Sequence, residues 1–145
     1  MKIPVYFISD VHLKLEKSNE EAKRRNKLYG LFDKIVDTGG TCFFVGDLFD
    51  FYFEYPDLIP KAYVDFFIKI DEMRKKNIEF HFLLGNHDYW VQDYIENTLM
   101  DNVYYEDAKI NINGKKFIIT HGDGLLSWDH GYRILKRVIR SKLFI

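Results

Sequence analysis

Cysteine is almost missing from this 145-residue chain. The single Cys42 excludes an internal disulfide and suits a reducing compartment. Proline is scarce as well, with three residues at positions 4, 56 and 60, and no flexible linker, low-complexity tract or internal repeat interrupts the pattern. Neither charge sign dominates: 21 basic against 22 acidic side chains leave a net charge of −1, which removes any general reason to expect nucleic-acid binding. Long apolar runs are missing too. No stretch approaches the roughly 20 residues that cross a bilayer. The opening "MKIPVYFISD" is broken by Asp10 too soon to act as a signal peptide. The expectation is a cytoplasmic protein whose contact with the inner membrane, if any, is peripheral. What the chain has in quantity is hydrophobic residues (47%) and aromatic ones (17%), enough for one globular domain spanning 1–145 with a substantial core.

Periodicity places the elements. Residues 3 to 8 read as a buried strand, with Pro4 tolerable only near its start. Ser18 and Glu21 form a capping-box signature, and Leu28, Leu31, Phe32, Ile35 and Val36 share a helical face that Gly39-Gly40 ends. A second strand runs from Thr41 to Val45. Tyr63, Phe66, Phe67, Ile70 and Met73 mark a second helix, Ile78 to Leu84 a third strand, and residues 91 to 100 a short helix. Asn113-Gly114 suits the two-residue turn of a hairpin whose second strand ends on Thr120. Strand and helix alternate, so the fold class is α/β with parallel central strands.

The chemistry gathers where strands stop. The stretches are Ser9-Asp10-Val11-His12, Gly46-Asp47-Leu48-Phe49-Asp50, Gly85-Asn86-His87-Asp88 and Thr120-His121-Gly122-Asp123. Asp10, Asp47, Asn86 and His121 are separated by 37, 39 and 35 positions, each about one strand plus its crossover. Their side chains therefore meet at one edge of the sheet despite the sequence distance. In extended backbone Asp10 and His12 would point the same way and reach one ion. The carboxylate of Asp47 can bridge two cations, Asn86 offers an amide oxygen and His121 a ring nitrogen. Such a mixed donor set suits Mn²⁺, Fe²⁺ or Zn²⁺. Gly46, Gly85 and Gly122 leave room for the backbone beside an ion or phosphate. His81 inside a strand and Cys42 read as core residues, and His130 as a surface residue.

Taken together these motifs resemble the calcineurin-like metallophosphoesterase superfamily, over residues 9 to about 132. The resemblance implies an αββα sandwich and two divalent metal ions, Mn²⁺ first, with Fe²⁺ or Zn²⁺ as alternatives. It places Asp10, His12 and Asp47 at one metal and Asp47, Asn86 and His121 at the other. His87 would be the acid or phosphate-contacting residue, held by Asp88, and Asp50 would support the ligands. The superfamily also carries a Gly-His-x-His stretch, which this chain does not contain. The expectation is thus the N-terminal portion of such a domain, truncated at its C-terminus.

The aromatic run "GDLFDFYFEY" and the segment from His121 onward are similar to hydrolases of UDP-2,3-diacylglucosamine in lipid A biosynthesis. That likeness implies cleavage of the diphosphate to UMP and 2,3-diacylglucosamine 1-phosphate, with Asp129 as a substrate contact. Five basic residues between Arg133 and Lys142, around Ile134, Leu135, Val138 and Ile139, suit a helix meeting a lipid substrate or an anionic membrane surface. One residue departs from the pattern: many of those hydrolases carry Arg where this chain has His87. The alternatives are a general phosphodiesterase acting on nucleotides or other phosphoesters, and a catalytically impaired binding or scaffold fragment.

Overall fold

Four short strands lie side by side and parallel, in the order in which the chain makes them. They are β1 (Val5–Ile8), β2 (Thr41–Val45), β3 (Glu79–Leu83) and β4 (Asn102–Tyr104). The computed structural model describes residues 1–123 together with Gly131, Ile134 and Val138. Two helices, α1 (Asn19–Thr38) and α2 (Val64–Lys75), make the first two crossovers, and a π-helical turn at Tyr94–Leu99 lies within the third. The hairpin of β5 (Ala108–Ile112) and β6 (Lys115–Ile119) forms a separate antiparallel pair.

Alternation along β2 and β3 divides the core. Cys42, Phe44, Phe80 and Phe82 point to the helices, where they join Leu28, Phe32 and Ile35 of α1 and Phe66, Phe67, Ile70 and Met73 of α2. The Phe44 ring has Phe32, Phe66, Phe80 and Phe82 within 6.3 Å, so this face is held by a packed aromatic cluster. The opposite residues, Phe43 and Leu83, meet Ala108 and Ile110 of the hairpin. The layers are therefore helices, parallel sheet and a two-stranded second sheet, the arrangement expected for the N-terminal portion of a sandwich.

Local signals account for the element ends. Ser18 Oγ accepts from the Glu21 N–H at 3.2 Å and starts α1, while the Gly39 N–H returns to the Ile35 carbonyl at 2.9 Å and ends it. Only half of the expected capping box forms, because the buried Glu21 carboxylate turns to Arg24 and Arg25. Asn113 and Gly114 both have positive φ, as a type I′ turn requires.

Two expectations are corrected. The first strand is not buried: among the described residues it is the edge of the sheet, pairs only with β2, and leaves Phe7 48% exposed. Leu31 lies off the buried stripe of α1 at 37% exposed. The three-residue β4 has too few positions to leave a periodic signal, and pairing with β3 is what makes it a strand. Among the described residues no helix is long and apolar enough to cross a membrane.

Candidate metal centre

Past their last sheet residues, β1 and β2 continue side by side into the loops. The N–H groups of Asp10, His12 and Leu13 donate to the carbonyls of Gly46, Asp47 and Leu48 at 3.2, 3.0 and 3.0 Å. Within that frame the backbone is not extended. Asp10, His12 and Asp47 have φ of 53°, 48° and 51°, in the left-handed region that costs a non-glycine residue about 1–3 kcal/mol. The extended geometry expected for Asp10 and His12 is therefore wrong, and the two side chains join different neighbours.

Close approach explains two of the glycines. A Cβ on Gly46 would stand 2.2 Å from Nδ1 of His121, and one on Gly85 would stand 2.1 Å from Oδ1 of Asp47. Each would push a candidate ligand out of place.

Asp47 occupies the centre, 5% exposed. Its two oxygens divide the work. Oδ1 accepts the N–H groups of Asn86 and His87 at 3.0 and 3.1 Å. Oδ2 faces two imidazoles, with His121 Nε2 at 3.4 Å and His12 Nε2 at 3.7 Å. Two donors bound to one cation at about 2.1 Å stand roughly 3.0–3.4 Å apart at octahedral to tetrahedral angles, so the His121 separation suits ligation and the His12 separation is slightly longer. His12 Nδ1 is buried and makes no hydrogen bond, its neighbour Asp50 Oδ1 lying at 3.4 Å. A buried ring nitrogen left without a hydrogen bond fits a site built for a cation.

Among the described residues, donor atoms able to meet at one ion fall into two groups that share Asp47: Asp10, Asp47 and His121, and His12, Asp47 and His87. Asp47 is common to both groups, while Asp10 and His12, expected at one metal, fall in different ones. Both residues have positive φ, and Asp10 is grouped with His121 while His12 is grouped with His87. Asn86 enters through its backbone N–H, which helps hold Asp47.

His87 and Asp88 also depart from the expected pairing. Both oxygens of the fully buried Asp88 accept backbone N–H groups: Gly85 at 2.8 Å on Oδ1, Leu48 at 2.6 Å and Phe49 at 3.2 Å on Oδ2. Asp88 fastens the Asp47 loop to the His87 loop and is not the partner of the imidazole. Burial raises its pKa to about 6 against the pull of those N–H groups. His87 Nδ1 lies 2.6 Å from the Asp50 carbonyl, which only accepts, so Nδ1 carries the proton and Nε2 is left for an ion or substrate. Asp50 thus approaches His12 with its carboxylate and His87 with its backbone carbonyl.

Electrostatics centre on the same carboxylate. The hydrogen bond with Asp47 raises His121 to about 9 against the effect of burial. Burial pushes Asp47 upward, but His121 and the His87 N–H outweigh it and hold the carboxyl below its ordinary range. A cation bound here must displace the His121 proton.

Two buried acids have roles beyond what the motifs show. Glu21 orients Arg24 and Arg25, whose guanidinium groups donate to the carbonyls of His12 at 2.7 Å and Lys14 at 3.1 Å. Glu54 lies among the aromatic residues after Asp47 and is 0% exposed. A carboxylate inside "FYFEY" is the one sequence signal that could have drawn attention to it. Beside His121 opens a cleft of about 620 Å³ bordered by Glu106, Asp107, Lys109 and Asp123. Asp129, His130 and the basic side chains between 133 and 142 lie outside the described residues; Ile134 and Val138 are exposed.

Comparison with known proteins gives the family and its named relatives. The family model described as calcineurin-like phosphoesterase matches residues 3–141. A UDP-2,3-diacylglucosamine hydrolase of Porphyromonas gingivalis is 30% identical, over 99% of this chain and 57% of its own length. One of the same name from Aeromonas salmonicida is 25% identical, over 94% of this chain and 52% of its own. A crystal structure of a protein of unknown function from Aquifex aeolicus aligns with a TM-score of 0.47 at 18% identity, covering 93% of this chain and 70% of that one. The chain therefore spans a little over half the length of the curated relatives it matches.

Proposed function

The chain belongs to the calcineurin-like phosphoesterase family, and from that premise we propose that it supplies the ligand-bearing part of a divalent-metal-dependent hydrolase acting on the diphosphate of UDP-2,3-diacylglucosamine. The observation that carries the reading is Asp47 Oδ2, which faces imidazoles from two separate donor groups. The relatives named for that substrate support its choice.

Asp10, Asp47 and His121 would hold one cation; His12 and Asp47, with Asn86 or His87 completing the set, would hold the other. When bound, the cations neutralise phosphoryl oxygens and activate water, Mn²⁺ being the first choice. The remaining steps belong to the chain. Asp50 keeps the His87 proton on Nδ1, so Nε2 is the atom that accepts a proton or, once protonated, donates one to the leaving oxygen. Asp88 holds the Asp47 and His87 loops together, and Arg24 holds the carbonyl of His12. Cleavage of a diphosphate expels a phosphate monoester, a good leaving group, so its demand on His87 is modest. Contact with the membrane that holds the lipid would be peripheral.

The test is Mn²⁺-dependent release of UMP from UDP-2,3-diacylglucosamine by the full-length protein. Turnover of simple diesters with none of this substrate would favour the broader phosphodiesterase reading, which His87 supports. Replacing His87 with Ala is expected to lower turnover more than metal content; the reverse would make His87 a ligand.

A further inference from the structure

We infer that Glu54 is a positioning residue of this site: its buried carboxylate locks the loop carrying His87 against the segment carrying Asp50, and so fixes where the imidazole stands. The two segments run side by side like strands. The Asp50 carbonyl meets His87 Nδ1 at 2.6 Å, the Tyr52 N–H donates to the His87 carbonyl at 3.2 Å, and the Glu54 N–H donates to the Trp90 carbonyl at 3.2 Å. Every second residue of 50–54 thus faces the His87 loop. The far end of this ladder is closed by the Glu54 side chain. Its Oε2 accepts from the Gln92 N–H and the Tyr52 hydroxyl, both at 3.1 Å, and its Oε1 accepts from the Tyr94 N–H at 2.6 Å. The Gln92 side chain returns a bond to the Glu54 carbonyl at 2.8 Å.

Only a carboxylate answers this arrangement. Three donors converge on two oxygens, and an amide in its place would turn an NH₂ group toward one of them. Glu54 is 0% exposed and has no ion pair among the described residues, so its charge is held by these hydrogen bonds. A merely space-filling position beside Tyr52 would be served by an apolar side chain. The acid is placed where releasing it would free the loop from residue 87 to 94, and with it the ring that Asp50 orients.

This inference rests on the reading of His87 as a group that works on the substrate, and the experiment separates the two. In the full-length protein with Mn²⁺ and UDP-2,3-diacylglucosamine, turnover, KM and metal content are measured for Glu54→Gln, His87→Ala and the double variant. Glu54→Gln is expected to lower kcat about tenfold, the scale of losing an orienting partner, with KM and bound Mn²⁺ close to the parent values. The double variant is expected to be no slower than His87→Ala, because a misplaced ring and an absent ring fail alike. Losses that multiply in the double variant, or a Glu54→Gln effect confined to metal content, overturn the inference. If His87→Ala keeps full turnover, the catalytic reading of His87 fails, and the positioning claim is decided by the His87 ring ¹⁵N signals: displaced in Glu54→Gln, it stands; unchanged, it falls. Should melting curves show Glu54→Gln unfolded, Gln92→Ala removes one bond of the same tie. A loss of about threefold that vanishes in the His87→Ala background then supports the claim, and an additive loss overturns it.

Discussion

The two sides of the site are built unequally around one carboxylate. On the side of His12 and His87, every loop is braced from behind by a buried acid: Glu21 through Arg24 onto the His12 carbonyl, Asp88 onto three backbone N–H groups, and Glu54 onto residues 92 and 94. On the other side, Asp10 is exposed on the edge of the sheet, and His121 is held by the Val45 carbonyl at 3.1 Å and by the space that Gly46 leaves it. The difference teaches that the placement of the candidate donor atoms is set in part by side chains outside the two donor groups. Where such braces are many, backbone strain at His12 and Asp47 can be sustained. Among the described residues, fewer such braces stand behind Asp10 and His121.

The strongest way to break this comparison is to remove a brace. Asp88→Ala strands three buried N–H groups, each worth about 1–3 kcal/mol when unpaired, so unfolding stability should fall by about 3 kcal/mol or more. Denaturant melts check this; a loss under about 1 kcal/mol would mean that the loops hold without it. A smaller and more selective effect is expected from Arg24→Met, which keeps the apolar stem and deletes the charged bond to the His12 carbonyl. Mn²⁺ affinity at the His12 group should drop about tenfold, with the His121 group unaffected. Equal weakening of both by calorimetry would erase the distinction between the two sides.

How much of this was legible beforehand depended on the length scale. Periodicity revealed α2 fully, with Phe66, Phe67, Ile70 and Met73 all buried, and the recurrence of polar residues at strand ends revealed that Asp10, Asp47 and His121 converge. The finer grouping was hidden: Asp10 and His12 fall in different donor groups, and both have a positive φ that no spacing rule announces. The role of Asp88 was misread for a related reason. A motif shows Asp next to His, and only the fold shows that the backbone donors of Leu48 and Phe49 reach the carboxylate first. Arg24 and Glu54 act on backbone groups 12 to 40 positions distant and carry no local signature.

Two further predictions use positions away from the site as controls. His81 stacks on Phe43 at 5.4 Å, and burial holds its pKa below the ordinary 6.5 against the carboxylates of Asp101 and Glu79. A group depressed in the folded state takes its proton first in the unfolded chain, so stability should decline as pH falls from 6.5 toward the lower folded value. His81→Phe should flatten that part of the melting profile; an unchanged acid limb would assign it to other groups. Least in size, Gly30→Ala places a methyl where nothing lies within 4 Å in the middle of α1, and should stabilise by about 0.5–1 kcal/mol without altering metal binding.

The central claim is that Asp47 Oδ2 serves both donor groups. Asp47→Asn isolates that atom, since an amide oxygen can keep the Oδ1 bonds to the N–H groups of Asn86 and His87 while the NH₂ replaces Oδ2. Mn²⁺ titration of the full-length protein should then show both ions weakened in Asp47→Asn, with His12→Ala and His121→Ala each losing one ion and keeping the other. Either ion binding as tightly in Asp47→Asn as in the parent would contradict a shared carboxylate.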